Sequence, residues 1–242
     1  VVLGRRQRRD EADPDGPSGS QDPFDELVAA LEAKAEPSRA DAMAAYMRHM
    51  FEFLGLPAPI RRKQATTFVR SFAGADETVL LDAAERLWGP EFPAREYTYV
   101  ATDLLRSHWR QLTPGSLGRL QSLVQTSPWW DSVDPLAHVV GVLVLNHREL
   151  RGEMDRWLDD DDRWLVRVAL LHQLGWKDAA DPEWQFAACR ARGGDDDFFI
   201  RKAIGWSLRD LARTFPDEVR DFLDQHGDEL SNMSVTEAAK HL

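Results

Sequence analysis

A single cysteine stands in a chain of 242 residues, so no internal disulfide can form, and a reduced, cytoplasmic protein is expected. Cys189 has no partner motif around it and reads as a small buried side chain. Nowhere do eighteen apolar residues follow one another, and the arginine-rich start lacks an apolar stretch of signal-peptide length, so neither a membrane span nor export is expected. The seven histidines show no metal-ligand spacing, and neither a metal nor a cofactor is expected. Without a glycine-rich phosphate loop or a nucleophile elbow, nucleotide hydrolysis and esterase chemistry have no support. No segment alternates at period two, so strands are not expected. Positive charge is short as well. With 30 Lys and Arg against 41 Asp and Glu, a net charge of −11 argues against a protein that coats nucleic acid non-specifically.

What remains is ample apolar material, 43% of residues, for a sizeable core. The charge is uneven: residues 41–120 carry 10 basic and 9 acidic side chains, residues 121–242 carry 14 and 23. Arg61, Arg62 and Lys63 form one basic cluster, Arg201 and Lys202 another, which leaves room for a basic groove on an acidic body. Asp159 to Asp162 read as a solvated loop and helix N-cap. Residues 1–23 have almost no aliphatic content to offset their ordering entropy and are expected to be a disordered tail, with 24–242 as a single folded domain.

From Phe24 onward the pattern is helical. Phe24, Leu27, Val28 and Leu31 repeat at helical spacing behind Asp22-Pro23, an N-cap followed by proline. Pro37-Ser38 opens a second helix, expected to run through Tyr46 and Met50 to a stop near Gly55. Ala101, Ala169 and Ala203 lie 68 and then 34 residues apart, with Pro135 in the missing register. A small residue recurring at one helical position allows close packing of stacked helix pairs, so an all-α superhelix of HEAT-like repeats is expected, with a concave ligand-binding face.

The segment Ser127-Pro-Trp-Trp-Asp-Ser-Val-Asp134 puts Trp130 and Asp134 four residues apart near a helix start, one face presenting an aromatic ring beside a carboxylate. The same repeat suggests that Asp134, Arg167 and Arg201 occupy equivalent faces of successive helices, with Trp206 nearby. Arginine suits phosphate, while a carboxylate and aromatic faces suit a cationic sugar or base. Asp134 taken alone is equally an N-cap residue. Trp88, Trp109, Trp157, Trp164, Trp176 and Trp184 read as packing.

With these motifs, and with Tyr46 through Pro57-Ala-Pro-Ile-Arg61-Arg62, Arg95-Glu-Tyr-Thr-Tyr-Val-Ala101 and Phe198 through Arg213 in order, the sequence resembles the AlkD family of alkylpurine DNA glycosylases. The resemblance spans roughly the whole folded body. It implies excision of N3- or N7-alkylated purines from duplex DNA by a monomer, leaving an abasic site. It further implies Asp134 as the catalytic aspartate, Trp130 and Trp206 as the aromatic pair around the lesion's deoxyribose, Arg167 as a backbone contact and Tyr46 at the family's early tyrosine. Arg201, Lys202, Arg61 and Arg62 are the further DNA contacts expected. Val166 stands where a second basic residue is expected beside Arg167, which with the acidity points to steeply salt-dependent binding. Three other readings stay open: a self-resistance glycosylase for bulky genotoxin adducts, a non-catalytic damaged-DNA binder, and a protein-binding scaffold.

Overall fold

The computed structural model describes residues 22–242. The expected tail therefore lies almost wholly outside the described residues, except that Asp22 and Pro23 belong to the first helix: the Asp22 carboxylate accepts the Phe24 N–H, and Pro23 takes the first helical position. Fourteen α-helices follow among the described residues: α1 (Pro23–Glu32), α2 (Pro37–Tyr46), α3 (Ala58–Gln64), α4 (Thr66–Ser71), α5 (Glu77–Trp88), α6 (Arg95–Ser107) and α7 (Leu117–Gln125). They continue as α8 (Trp130–Asn146), α9 (Arg151–Leu158), α10 (Arg163–Leu171), α11 (Pro182–Ala191), α12 (Phe198–Leu211), α13 (Pro216–His226) and α14 (Asn232–Ala238). Strands are absent from the described residues; one isolated bridge pairs Glu52 with Ala94.

Acidic caps start many of these helices. Asp76, Asp162, Asp181 and Asp197 each accept a backbone N–H of the turn they open, which satisfies an orphan donor and complements the helix dipole. Some of the acidic surplus thus serves helix starts, and the Asp159–Asp162 run ends in such a cap.

The packing is a superhelix of helix pairs. α6, α8, α10, α12 and α14 touch in succession as an inner row, while α5, α7, α9, α11 and α13 back them. Ala101, Pro135, Ala169 and Ala203 occupy one register of that row at 34-residue steps, and Glu237 on α14 continues it. At the centre α10 buries every residue from Trp164 to Leu171, because α8, α9 and α12 cover it from three sides. Val166 is fully buried there, so its apolar character is a packing requirement of this helix.

The second helix is shorter than its pattern predicts. It stops at Tyr46, because Arg48 and His49 both adopt φ 56° and fold the chain back, closed by the His49 N–H on the Ala44 carbonyl. Two non-glycine residues in the left-handed region cost about 1–2 kcal/mol each. Compensation comes from Glu96, fully buried, whose carboxylate accepts the N–H groups of Leu54, Gly55 and Leu56 at 2.9–3.0 Å. Gly55 is required at φ 88°, where a Cβ would lie 2.2 Å from the Glu36 carbonyl oxygen.

α8 and α10 approach so closely that a Cβ on Gly141 would sit 1.8 Å from the His172 carbonyl oxygen. Gly141→Ala must push these helices apart, and a loss of about 2–3 kcal/mol in urea unfolding is expected. His172 itself is buried and its imidazole is pushed down to about 4, burial being the main cause. Since the unfolded chain binds that proton more readily, stability is full above the ordinary imidazole value near 6.5 and declines as pH falls from there to about 4. Denaturation midpoints across that range check it, with a fall of about 1.4 kcal/mol per pH unit as the limiting slope for one group, and His172→Gln expected to flatten it.

Candidate functional site

The inner ends of α8, α10 and α12, together with the turn after α2, enclose a cleft of about 380 Å³ whose lining includes Tyr46, Trp130, Arg167, Lys202 and Trp206. Trp130 opens α8 and meets the Tyr46 ring edge-on at 6.2 Å between centroids. Tyr46 is 74% exposed, a large aromatic surface left to solvent at the mouth of a cleft.

Asp134 lies one turn beyond Trp130. Its two oxygens accept Nε and Nη2 of Arg167 at 2.7 and 2.8 Å, a fork-to-fork pair. The third guanidinium nitrogen donates to the Phe199 carbonyl at 2.6 Å, and the guanidinium carbon lies 5.1 Å from the centre of the Trp206 ring. The Arg167 side chain is only 1% exposed, whereas Asp134 keeps 22% of its side chain accessible. A guanidinium this deep cannot shed its proton, so it demands a carboxylate partner. Burial pushes the Asp134 carboxyl up from its ordinary value against the downward pull of Arg167, with Asp131 adding a smaller upward push.

A second buried pair braces the segment that carries the tryptophans. Arg95 bonds Asp131 through two nitrogens at 2.8 and 2.9 Å, and also holds the Ser127 carbonyl and the Ser132 hydroxyl. The Tyr99 hydroxyl donates to the same Asp131 carboxylate at 2.6 Å. Ser127, at φ 47°, and Pro128 then deliver Trp129 and Trp130 into the cleft. Trp129 packs with Trp164 and Phe199, so Trp164 is packing and Trp129 is the inner wall.

The expected DNA contacts are not all brought together. Lys202 lines the cleft, its ammonium 3.2 Å from Glu237, and stands two repeat steps after Asp134. Arg201 is turned away, donating to the Asp195 carbonyl and pairing with Asp196. Arg61 is buried, 3.0 Å from Asp103 and 4.8 Å from the centre of the Tyr99 ring. Arg62 remains exposed, on a separate groove. Arg167 is placed as a holder of Asp134 and not as an open phosphate contact, because Asp134 and Phe199 use its fork. The sequence reading missed Trp129, Phe198, Phe199 and Arg48, all of which line the cleft. Phe199 carries no sequence signal, since its place follows from the α12 cap; Arg48 depends on the left-handed turn. No group of three or more His, Cys, Asp and Glu among the described residues is placed to hold a metal ion.

Removing the Asp134 carboxylate leaves a buried cation uncompensated. Asp134→Ala is expected to cost about 3 kcal/mol in chemical denaturation, while Asp134→Asn, which keeps an acceptor for Arg167, costs distinctly less.

No curated protein sequence matches the chain. A solved structure described as a predicted DNA alkylation repair enzyme from Enterococcus faecalis is similar at 30% identity and a TM-score of 0.80, over 86% of this chain and 96% of that one. The smu.31 structure from Streptococcus mutans UA159 shares the fold at 18% identity and a TM-score of 0.55, over 75% of this chain and 91% of that one. The family model described as DNA alkylation repair enzyme matches residues 27–242, essentially the whole helical array around this cleft, and the chain belongs to that family.

Proposed function

We propose that the protein is a monofunctional DNA glycosylase that hydrolyses the N-glycosidic bond of cationic N3- or N7-alkylated purines in duplex DNA and leaves an abasic site. The observation that carries this reading is the Asp134 carboxylate, held in bidentate geometry on buried Arg167 and kept partly accessible beside a cleft walled by Tyr46, Trp130 and Trp206.

An alkylated purine already bears a positive charge. When the bond from C1′ to the base nitrogen breaks, the electron pair neutralises the base, so no general acid is needed. Positive charge then develops on the sugar, and a fixed carboxylate backed by aromatic faces stabilises it. Water adds to C1′, and its proton leaves through the carboxylate or to solvent. Arg167 fixes the direction of Asp134 in advance, which lowers the reorganisation required during the reaction. Lys202 and exposed Arg48 supply cations at the cleft for the phosphates flanking the lesion. The open mouth suits a lesion approached at the surface of the duplex.

Single-turnover release of N7-methylguanine and N3-methyladenine from methylated duplex is the test. Wild type releases them, and Asp134→Asn slows release at least about tenfold, roughly 1.4 kcal/mol of barrier. Salt-dependent duplex binding without release by wild type, for any cationic purine adduct, would sink the assignment. The catalytic form of Asp134 is the ionised one. The rate constant is therefore expected to fall on the acid side, with an apparent midpoint above that of an ordinary aspartate, because burial raises this carboxyl. A rate profile from acid to neutral pH checks this.

A further inference from the structure

A groove of about 710 Å³ lies away from the cleft, where the outer helices α9, α11 and α13 begin. Pro182, Phe186 and Phe215 supply its apolar lining; both phenyl rings are half-buried, and Phe186 lies flat on Phe222 at 4.5 Å between centroids. Four carboxylates and two arginines stand around these rings. Asp181 is already used: it caps α11 and lies 3.6 Å from Arg151, which ties α11 to α9. Asp178, Glu183 and Glu218 are exposed and form neither an ion pair nor a side-chain hydrogen bond among the described residues. Glu183 and Glu218 lie in the first turns of α11 and α13, where they complement the helix dipoles. That role does not extend to Asp178, in the short turn Lys177–Ala179, nor does it explain aromatic rings left half-open among three free carboxylates. Arg148 is the one lining cation without a carboxylate among the described residues, so free negative charge outnumbers free positive charge three to one.

An apolar surface rimmed by unpaired charge of one sign fits a partner that brings apolar groups and the opposite charge. From the start of α9 to the start of α13 is two helix-to-helix steps of about 8–10 Å each, the length of about six residues of extended chain. We propose that this groove docks an extended segment of a partner protein in which apolar side chains alternate with Lys or Arg. In an extended chain the two sets point to opposite faces. The apolar set seats against Phe186 and Phe215, while the cations reach up to Asp178, Glu183 and Glu218 at the rim. The occupant is a protein segment and not a nucleic acid or an anionic membrane, because three free carboxylates repel both. No residue lines both this groove and the aromatic cleft. The partner can therefore be held while the cleft is engaged, and docking here does not depend on what the cleft does.

The test is fluorescence anisotropy of a labelled hexapeptide of alternating leucine and lysine, titrated with the full chain at low and at moderate salt. Wild type is expected to bind with a Kd below roughly 100 μM at low salt, and more weakly as salt rises. The variant Asp178→Asn/Glu183→Gln/Glu218→Gln should bind at least about tenfold more weakly. The variant Asp221→Asn/Asp224→Asn/Asp228→Asn makes the same change of charge at exposed residues of α13 and the turn after it, outside the groove, and should stay within about twofold of wild type. A peptide with serine in place of leucine should lose at least about fivefold. Equal losses in the two variants would overturn the proposal, since they mark general attraction of a cation to an acidic protein. So would equal binding of the leucine and serine peptides, or no binding of the leucine peptide by wild type at low salt. Displacement of the peptide by an equal concentration of spermidine would overturn it too, since that marks a site for small polyamines.

Discussion

A guanidinium withdrawn from water has to be matched by a carboxylate, and the organisation of the cleft depends on that requirement at Arg167. Its pair with Asp134 joins α10 to α8, and its bond to the Phe199 carbonyl adds α12. Three helices of the inner row are thereby locked at one point. The same pair leaves the carboxylate oriented beside the aromatic walls and partly open to solvent. Exchange of such a pair for apolar residues often preserves stability in other proteins, so its presence here is better explained by what it does for Asp134 than by what it adds to folding.

The brace formed by Arg95, Asp131 and Tyr99 has a parallel role in the preceding repeat. It holds the segment from Ser127 to Ser132, and so fixes where Trp129 and Trp130 enter. Glu96, the next residue on α6, holds residues 54–56 and with them the turn that returns Tyr46 and Arg48 to the cleft. Adjacent residues at the start of one helix thus anchor the two opposite walls of the site. The strained left-handed turn persists because three charge-assisted hydrogen bonds hold the chain just beyond it.

Net charge is a poor guide to where cationic side chains stand unpaired on this protein. Many acidic side chains cap helices or hold arginines on the outer helices, whereas Arg48, at the cleft, and Arg70 and Arg106 form no ion pair among the described residues. Pairing therefore matters more than totals, and pairing is a property of the folded arrangement.

Helix content, the capped starts at Asp22 and Asp162, the 34-residue register of Ala101, Ala169 and Ala203, and the candidacy of Trp130, Asp134 and Trp206 were legible in the order of residues, because periodicity and capping act over a few positions. Register carried further than expected, since Lys202 stands in step with Asp134 and lines the cleft, whereas Arg201 turns to Asp195 and Asp196. The burial of Arg61 and Arg167, the end of α2 at Tyr46 and the presence of Trp129, Phe198 and Phe199 in the cleft were decided by the tertiary structure alone. Those outcomes turn on contacts between residues tens of positions apart. A local pattern says which face of a helix is apolar, but only the packing of one helix on the next decides which arginine finds a carboxylate and which stays without one.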